Sequence, residues 1–166
     1  EGMEPKLIKG PDIFIDTINI LNKEIKNLTI ILTGPSRGYI KSRLKELSID
    51  FRHFDANNTE YRSQLYNILD GYIVSSREEG GPKGFLEAMA CGIPVVTTNV
   101  GQIRDIGSNK EDCFIVNTFS PLDLAREYIE MLKIKKEPNF LSKLLEKATK
   151  YSIGSDLHLW KDFFSI

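Results

Sequence analysis

The apolar positions of the chain recur with two different periods, and their alternation predicts helices and strands in turn. Helical spacing, with apolar residues three and four positions apart, predicts helices at 12–26, 38–47, 60–69, 83–91, 121–135, 138–151 and 157–164. Short runs rich in β-branched and aromatic residues predict buried strands at 28–33, 49–54, 72–74, 94–97 and 113–116. Strands that alternate with helices form parallel sheets. The pattern therefore predicts a doubly wound, Rossmann-like α/β fold with helices on both faces of the sheet.

The stretch from Asp70 to Thr98 is the centre of this pattern. Its first strand leads into a polar, glycine-rich segment at 75–82, which is followed by a helix and a second strand. Gly92 stands at the position where a helix commonly ends on a glycine. In parallel α/β sheets, ligands bind outside the carboxyl ends of the strands, so this loop is the first candidate for a site.

Composition narrows the class of protein. The 166 residues suffice for one domain with a full core, and 41% hydrophobic and 27% charged residues are typical of soluble globular proteins. The formal net charge of −1 provides no broad positive field for nucleic acid. No apolar run approaches the roughly 20 residues of a membrane span, and no signal peptide is visible, so a cytoplasmic location is expected.

The cysteines and histidines show no pattern typical of a metal site. Cys91 and Cys113 fall in or beside apolar segments, and we expect both to be buried thiols in a reducing compartment. His53 and His158 stand alone in the sequence, without ligand spacing to a cysteine or to each other. No metal is therefore expected.

Two glutamates flank the glycine-rich loop. Glu79 precedes Gly80 and Gly81, and Glu87 lies inside the predicted helix. Gly-Gly-Pro interrupts a helix, so we expect the loop to fold Glu79 back over the helix N-terminus. Free amides of a first helical turn bind anions, and two carboxylates beside them suggest a ligand with phosphate and hydroxyl groups, such as a nucleotide sugar. The spacing alone is equally compatible with a surface loop that carries two solvated acids.

The segment at 79–96, EGGPKGFLEAMACGIPVV, resembles the signature of family 4 retaining glycosyltransferases of the GT-B fold, the glycosyl transferases group 1. That signature is a glutamate, seven residues, a second glutamate, and then Ala-Met-Ala-x-Gly-x-Pro-Val-Val. Weaker similarity at 9–10, 32–35, 66–70 and 100–106 extends the resemblance over most of the chain. The resemblance is to the C-terminal, donor-binding half of the fold. It implies that residues 1–166 form a single nucleotide-sugar-binding domain.

The resemblance also implies roles for individual residues. Glu79 would accept hydrogen bonds from the sugar hydroxyls and Lys9 would face the diphosphate, so these two are the candidate catalytic residues. Glu87 would accept hydrogen bonds from the ribose hydroxyls, because an ionised carboxylate suits a diol. The base would lie near His53 and Phe54. The full set of remaining candidate donor-binding residues, in the loop itself and at the ends of the earlier strands, is Gly80, Gly81, Lys83, Gly34, Arg37, His53 and Phe54.

The chain departs from the family pattern at its start. In the family an arginine lies six positions before the lysine, but Met3 occupies that position here, and Lys6 or Arg37 could substitute for it. In the family a strand precedes this first loop, but here only Glu1 stands before Gly2, so that strand is absent or built differently, which we interpret as a sign of a truncated chain. The final helix, at 155–166, is expected to pack on an absent N-terminal domain.

The leading functional hypothesis is an enzyme, the donor half of a retaining, metal-independent glycosyltransferase. It would move a sugar from a nucleoside-diphosphate sugar, its substrate rather than a cofactor, to a glycan or lipid-linked acceptor, as in polysaccharide biosynthesis. The acceptor would bind the absent N-terminal domain, so this part would bind donor but turn over little. Membrane contact is expected only through that domain, and nucleic acid is not expected as a partner. The alternatives are a non-catalytic nucleotide-sugar-binding module and, more weakly, a nucleotide-sugar epimerase.

Overall fold

Helices and strands alternate along the chain in the order that the hydrophobic pattern predicts. A computed structural model describes residues 4–55 and 58–152. Its strands are β1 (Thr29–Thr33), β2 (Asp50–Phe54), β3 (Tyr72–Val74), β4 (Val95–Thr98) and β5 (Phe114–Val116). Its α-helices are α1 (Pro11–Glu24), α2 (Gly38–Glu46), α3 (Thr59–Tyr66), α4 (Lys83–Ala90), α5 (Ile103–Ile106), α6 (Pro121–Ile134) and α7 (Pro138–Lys150). Apart from the short α5, each agrees with a predicted element to within a few residues.

The helix boundaries follow from capping residues in the sequence. The Asn58 side chain accepts a hydrogen bond from the Tyr61 amide at 2.7 Å, and the Ser120 hydroxyl accepts one from the Asp123 amide at 3.2 Å. Such side-chain acceptors satisfy amides that the first helical turn leaves unpaired. Gly92 follows α4 with a φ of +73°, the left-handed conformation in which glycine commonly ends a helix.

All the strand pairs are parallel, which confirms the predicted α/β class. The strands form two hydrogen-bonded sets, β1–β2 and β3–β4–β5, where the sequence predicted one sheet. In the larger set Tyr72 lies opposite Val95, and Val96 lies opposite Phe114. Helix α1 packs on α6, and α4 packs on α7, so that these helices cover the strands.

A cavity of about 600 Å³ separates the two strand sets. It is lined by residues of α1, β1, α3, β3 and α6, and the apolar ones include Phe14, Ile30, Leu65 and Ile73. Within the described ranges, β1 pairs only with β2, and β3 pairs only with β4. The facing edges of β1 and β3 are therefore separated by an apolar gap.

Several details differ from the prediction or lie outside the described residues. The chain before α1 contains a short 3₁₀ turn at Leu7–Lys9, where a loop was predicted. Cys113 is buried as predicted, but Cys91 is only half-buried, and both thiols are free. Met3 and the predicted last helix lie outside the described residues. Within the described part of the chain, none of the helices combines the length and apolar character needed to cross a bilayer.

Candidate functional site

The loop after β3 is fixed by buried hydroxyl groups. Ser76, only 4% exposed, donates a hydrogen bond from its hydroxyl to Glu79 Oε1 at 3.0 Å. The buried Thr98 hydroxyl at the end of β4 in turn donates to the carbonyl oxygen of Ser76 at 2.6 Å. Because buried polar groups gain most from being paired, these bonds favour one position of the Glu79 carboxylate.

Glu79 and Lys9, the two candidate catalytic residues, form an ion pair. Lys9 Nζ lies 2.6 Å from Glu79 Oε2. The Glu79 side chain is 16% exposed and that of Lys9 is 53% exposed. The fold thus brings together a carboxylate and an ammonium group that are 70 residues apart in the chain, at the carboxyl end of β3. The carboxylate is held by its surroundings, whereas the lysine remains accessible to solvent and to a ligand.

The glycine-rich loop follows Glu79 and is closely covered on one side. Gly101 has a φ of +53°, and a Cβ there would lie 2.3 Å from the carbonyl oxygen of Glu79 and 2.4 Å from that of Gly80. The amide of Gln102 donates to the Gly80 carbonyl at 2.9 Å. A Cβ on Gly81 would lie 2.9 Å from the Gln102 side chain, whereas one on Gly80 would meet no atom of residues 4–55 and 58–152 within 4 Å. One face of this loop is therefore packed, and the face at Gly80 is open.

Helix α4 begins directly after this loop. Pro82 occupies the N-cap position and Lys83 is the first helical residue, and among the described residues no side chain caps this N-terminus. Uncapped amides at a helix N-terminus, together with the helix dipole, attract anions. Three features meet between the end of β3 and the start of α4: the open loop, the uncapped helix start and the Lys9–Glu79 pair. Lys83 is exposed there.

Glu87, the second glutamate, lies in α4 among aromatic side chains. Tyr66 donates its hydroxyl to Glu87 Oε2 at 3.0 Å, and Arg62 Nη1 lies 4.0 Å from Glu87 Oε1. Burial, with the nearby Tyr72 and Glu87, raises the pKa of Tyr66, so that this phenol stays protonated and remains a donor. Gly84 makes room for the ring of Tyr72, because a Cβ there would lie 2.4 Å from the Tyr72 hydroxyl. Glu87 thus retains exposed surface but already has one firm partner.

The remaining candidate donor-binding residues lie at the carboxyl ends of β1 and β2. His53 Nε2 lies 2.8 Å from the carbonyl oxygen of Gly34, whose φ is +79°. Arg37 donates from Nε to the carbonyl of Thr33 at 2.8 Å. The ring of Phe54 packs edge-on against Tyr61, with centroids 6.4 Å apart. The His53 contact joins the loop after β1 to the end of β2.

The sequence did not reveal several residues that organise the site. Arg77 and Asp12 form a two-pronged ion pair between the loop after β3 and the first turn of α1. Ser76 lies in the segment at 75–82 that the sequence marks only as polar and glycine-rich, but it is buried and bonded to Glu79. Ser76 and Glu79 are three positions apart, so their hydrogen bond could have been predicted from the sequence. The Asp12–Arg77 pair joins residues 65 positions apart, which no local pattern predicts. In the described ranges, no group of three or more His, Cys, Asp or Glu residues is arranged to hold a metal ion.

Comparison with protein families identifies a match over almost the whole chain. Residues 4–151 match the family described as glycosyl transferases group 1. The match includes the loop after β3, helix α4 and the 3₁₀ turn that carries Lys9.

Curated relatives match part of their length. The chain is 24% identical over 128 residues to N-acetyl-alpha-D-glucosaminyl L-malate synthase of Bacillus anthracis, covering 77% of this chain and 34% of that protein. It is 28% identical over 117 residues to the lipopolysaccharide core biosynthesis mannosyltransferase LpsB of Rhizobium meliloti, covering 65% of this chain and 33% of that protein. The chain thus spans about a third of the length of the curated relatives it matches.

Solved structures share the fold. A TM-score of 0.78 at 20% identity relates this chain to Anabaena Alr3699/HepE in complex with UDP-glucose, over 98% of this chain and 47% of that one. The C-terminal domain of the glycosyl transferase group 1 family protein LpcC from Francisella tularensis gives a TM-score of 0.74 at 22% identity. That match covers 90% of this chain and 83% of the LpcC domain.

Proposed function

From the premise that this chain belongs to the glycosyl transferases group 1 family, we propose that it binds the nucleoside-diphosphate sugar donor of a glycosyltransferase. The observation that carries the proposal is the Lys9–Glu79 ion pair beside an open glycine loop and an uncapped helix start. A lysine and free amides suit a diphosphate, and a fixed carboxylate suits sugar hydroxyls. The Anabaena structure in complex with UDP-glucose supports this class of ligand.

The proposed chemistry follows from where charge develops during transfer. Breaking the bond between the sugar and the diphosphate places negative charge on the departing phosphate and positive charge on the sugar ring. Lys9, with the amides at the start of α4, would stabilise the leaving diphosphate. Glu79, held by Ser76, would orient the sugar through its hydroxyls.

Lys9 has to change partner for this role. Its ammonium contacts Glu79 here, but the side chain is more than half exposed and can turn towards an incoming phosphate. A doubly charged diphosphate competes well with one carboxylate for a lysine, because charge-assisted bonds to phosphate are strong. We propose a reaction that retains the configuration of the sugar and needs no metal, with Lys9 and the α4 amides providing the positive charge.

Glu87 would serve the ribose in this proposal. Its Oε2 accepts from Tyr66, which leaves Oε1 as the atom available to a ribose hydroxyl. Gly34 in the loop after β1 and His53 near the end of β2 would then border the base, at the carboxyl ends of these two strands.

Further polypeptide is proposed to complete the protein and to carry the acceptor. The edges of β1 and β3 face an apolar gap, and their backbone groups there would be satisfied by one more parallel strand. The turn at Leu7–Lys9 lies at the carboxyl end of β3. A strand that comes just before Glu4 and runs parallel to β3 would end at this turn. A version extended at its N-terminus is expected to resist urea better than residues 1–166. Equal stability would argue against this part of the proposal.

A titration with UDP, GDP and ADP, followed by calorimetry, tests donor binding. We expect one nucleotide to bind residues 1–166 at or below millimolar concentration, and Lys9→Ala to weaken that binding by about tenfold, the effect of one charge-assisted contact. Lys23→Ala, which removes an exposed lysine of α1, is the matched control and should bind like the parent protein. If none of the three nucleotides binds at millimolar concentration, the proposal is wrong.

A non-catalytic binding module is the second candidate, and Met3 in place of the family arginine favours it. In the longer protein, Glu79→Ala and Lys9→Ala should both abolish sugar transfer if the site is catalytic. Unchanged turnover in both variants would support the binding module instead.

A further inference from the structure

The guanidinium of Arg77 links the loop after β3 to the segment that carries Lys9. Arg77 Nη1 lies 2.8 Å from Asp12 Oδ1, and Nη2 lies 2.5 Å from Asp12 Oδ2, so the pair is bidentate. Nη1 also donates to the carbonyl oxygen of Leu7 at 2.7 Å. One side chain therefore holds both the beginning of the 3₁₀ turn and the first turn of α1, on either side of Lys9.

The backbone adds further bonds between the same two segments. The amides of Arg77 and Glu78 both donate to the carbonyl oxygen of Ile8, at 2.8 and 3.3 Å. The buried Ser75 hydroxyl donates to the carbonyl of Gly10 at 3.0 Å. The residues on both sides of Lys9 are thus bonded to the loop that leads to Glu79.

Apolar packing contributes little to holding this turn. None of its three residues is buried, and Leu7 and Ile8 are 56% and 50% exposed. A segment without buried side chains depends on its hydrogen bonds for a defined position. The Arg77 side chain is therefore one of the groups that fix the turn, together with the backbone bonds to Ile8 and the Ser75 hydroxyl.

We propose that Arg77 and Asp12 are positioning residues that hold the Leu7–Lys9 turn so that the Lys9 ammonium faces Glu79 and the donor diphosphate. Neither residue touches the donor in this account, since both act through Lys9. The expected effect of Arg77 on diphosphate binding rests on the proposed function. The expected effect of Arg77 on the position of the turn is independent of that function. Only Glu78 separates Arg77 from Glu79, and only Ile8 separates Leu7 from Lys9, so one guanidinium influences the relative position of both charged partners.

Lysine cannot replace this arginine. The planar guanidinium donates two parallel bonds to the Asp12 carboxylate and a further one to Leu7, whereas an ammonium group acts as a point charge. Arg77→Lys therefore keeps the positive charge but removes the pair of parallel hydrogen bonds to Asp12. Because the charge is retained, we expect the variant to fold.

Hydrogen exchange tests the positioning role without any ligand. The amides of Lys9 and Gly10 donate within the turn, to the carbonyls of Lys6 and Leu7. We expect these two amides to exchange at least fivefold faster in Arg77→Lys than in the parent protein, with amides of β4 unchanged. Arg126→Lys, which alters an ion pair on α6, is the matched control and should leave the turn unaffected. Unchanged exchange at Lys9 and Gly10 would overturn the proposal.

Binding measurements then test the effect on the diphosphate. Arg77→Lys and Asp12→Asn should weaken binding of the nucleoside diphosphate about tenfold and leave binding of the corresponding nucleoside unchanged. A general structural defect would weaken both, and equal loss for the two ligands would contradict a role through Lys9. If the parent protein binds no nucleoside diphosphate, the proposed function fails, and the exchange experiment still decides whether Arg77 positions the turn.

Discussion

The two strand sets of the molecule differ in how many of their residues are buried and in how firmly the adjoining loops are hydrogen-bonded. In the β3–β4–β5 set all four residues of β4 are buried, and buried hydroxyls extend the packing into the loop that carries Glu79. In the β1–β2 set, strand β2 has no buried residue, and an exposed hydrogen bond joins His53 of β2 to Gly34 in the loop after β1. We expect the first set to hold its end of a ligand rigidly and the second to adapt. The proposed sugar and diphosphate contacts lie on the rigid set, and the proposed base contacts lie on the adaptable one.

The largest expected difference concerns two phenylalanines, one in each set. Phe114 of β5 is 2% exposed and packs against Phe140, whereas Phe51 of β2 is only half-buried. Phe114→Ala should cost about 3–5 kcal/mol of unfolding free energy, the usual loss for a buried phenylalanine, and Phe51→Ala less than half as much. Urea denaturation of both variants measures this. Equal losses would show that the two sets do not differ in packing as described.

A pair of glycines gives the next largest effect. Gly10 and Gly34 both have positive φ, but a Cβ on Gly10 would lie 1.9 Å from the carbonyl oxygen of Ser75. A Cβ on Gly34 would meet only the Arg37 guanidinium, at 3.7 Å. Gly34→Ala should cost about 1 kcal/mol through backbone strain alone, and Gly10→Ala about 3 kcal/mol, because overpacking adds to the strain. Thermal unfolding of both variants tests this, and a Gly34→Ala loss as large as that of Gly10→Ala would contradict it.

A pair of threonines compares the hydroxyl bonds of the two sets. Thr98 is buried and donates to Ser76, whereas the exposed Thr29 donates to Asp50 at 3.0 Å. Thr98→Val leaves a buried carbonyl without its donor and should cost about 1–3 kcal/mol, whereas Thr29→Val should cost less than about 1 kcal/mol. Because Ser76 holds Glu79, we also expect Thr98→Val to weaken donor binding. A stable Thr98→Val variant with unaltered binding would show that this network does not hold the glutamate.

The smallest expected effect is a difference in acid titration between the two regions. The Arg77 hydrogen bond lowers the pKa of Asp12 from its usual 3.8, and the Thr29 hydroxyl, with Arg52, lowers that of Asp50. Since the folded-state pKa of Asp12 is depressed, its contribution to stability is present at neutral pH and is lost as the pH falls below about 3.8. Both side chains are accessible to solvent, so the contribution is small.

Carboxyl chemical shifts followed by NMR during acid titration measure these two values. Arg77→Lys should raise the pKa of Asp12 towards its usual range and leave that of Asp50 unchanged. If both carboxyls respond, or neither does, the Arg77–Asp12 pair is not the local contact described here.

The sequence predicted the elements and the central loop well because both depend on local patterns. Periodicity identified the strand Tyr72–Val74, and the spacing of Glu79 and Glu87 in a known signature identified the candidate acids. The partners of these acids were harder to predict. Lys9 was proposed from resemblance alone, and its ion pair with Glu79 joins residues with no local relation in the sequence.

Long-range features could not be predicted for the same physical reason. The Asp12–Arg77 pair depends on how a helix start meets a loop 65 residues later, and hydrophobic periodicity contains no information about such a meeting. The division of the strands into two sets depends on which edges come within hydrogen-bond reach. The partial exposure of Cys91 likewise depends on what covers the end of α4.

The nitrogen resonance of the Lys9 ammonium, followed during titration with UDP, GDP, ADP and the matching nucleosides, tests the central claim most directly. The account predicts a saturable shift of the Lys9 signal with one of the diphosphates, as the ammonium leaves Glu79 for phosphate, and no shift with the nucleoside. A nucleotide that binds while the Lys9 signal stays unchanged would contradict the account.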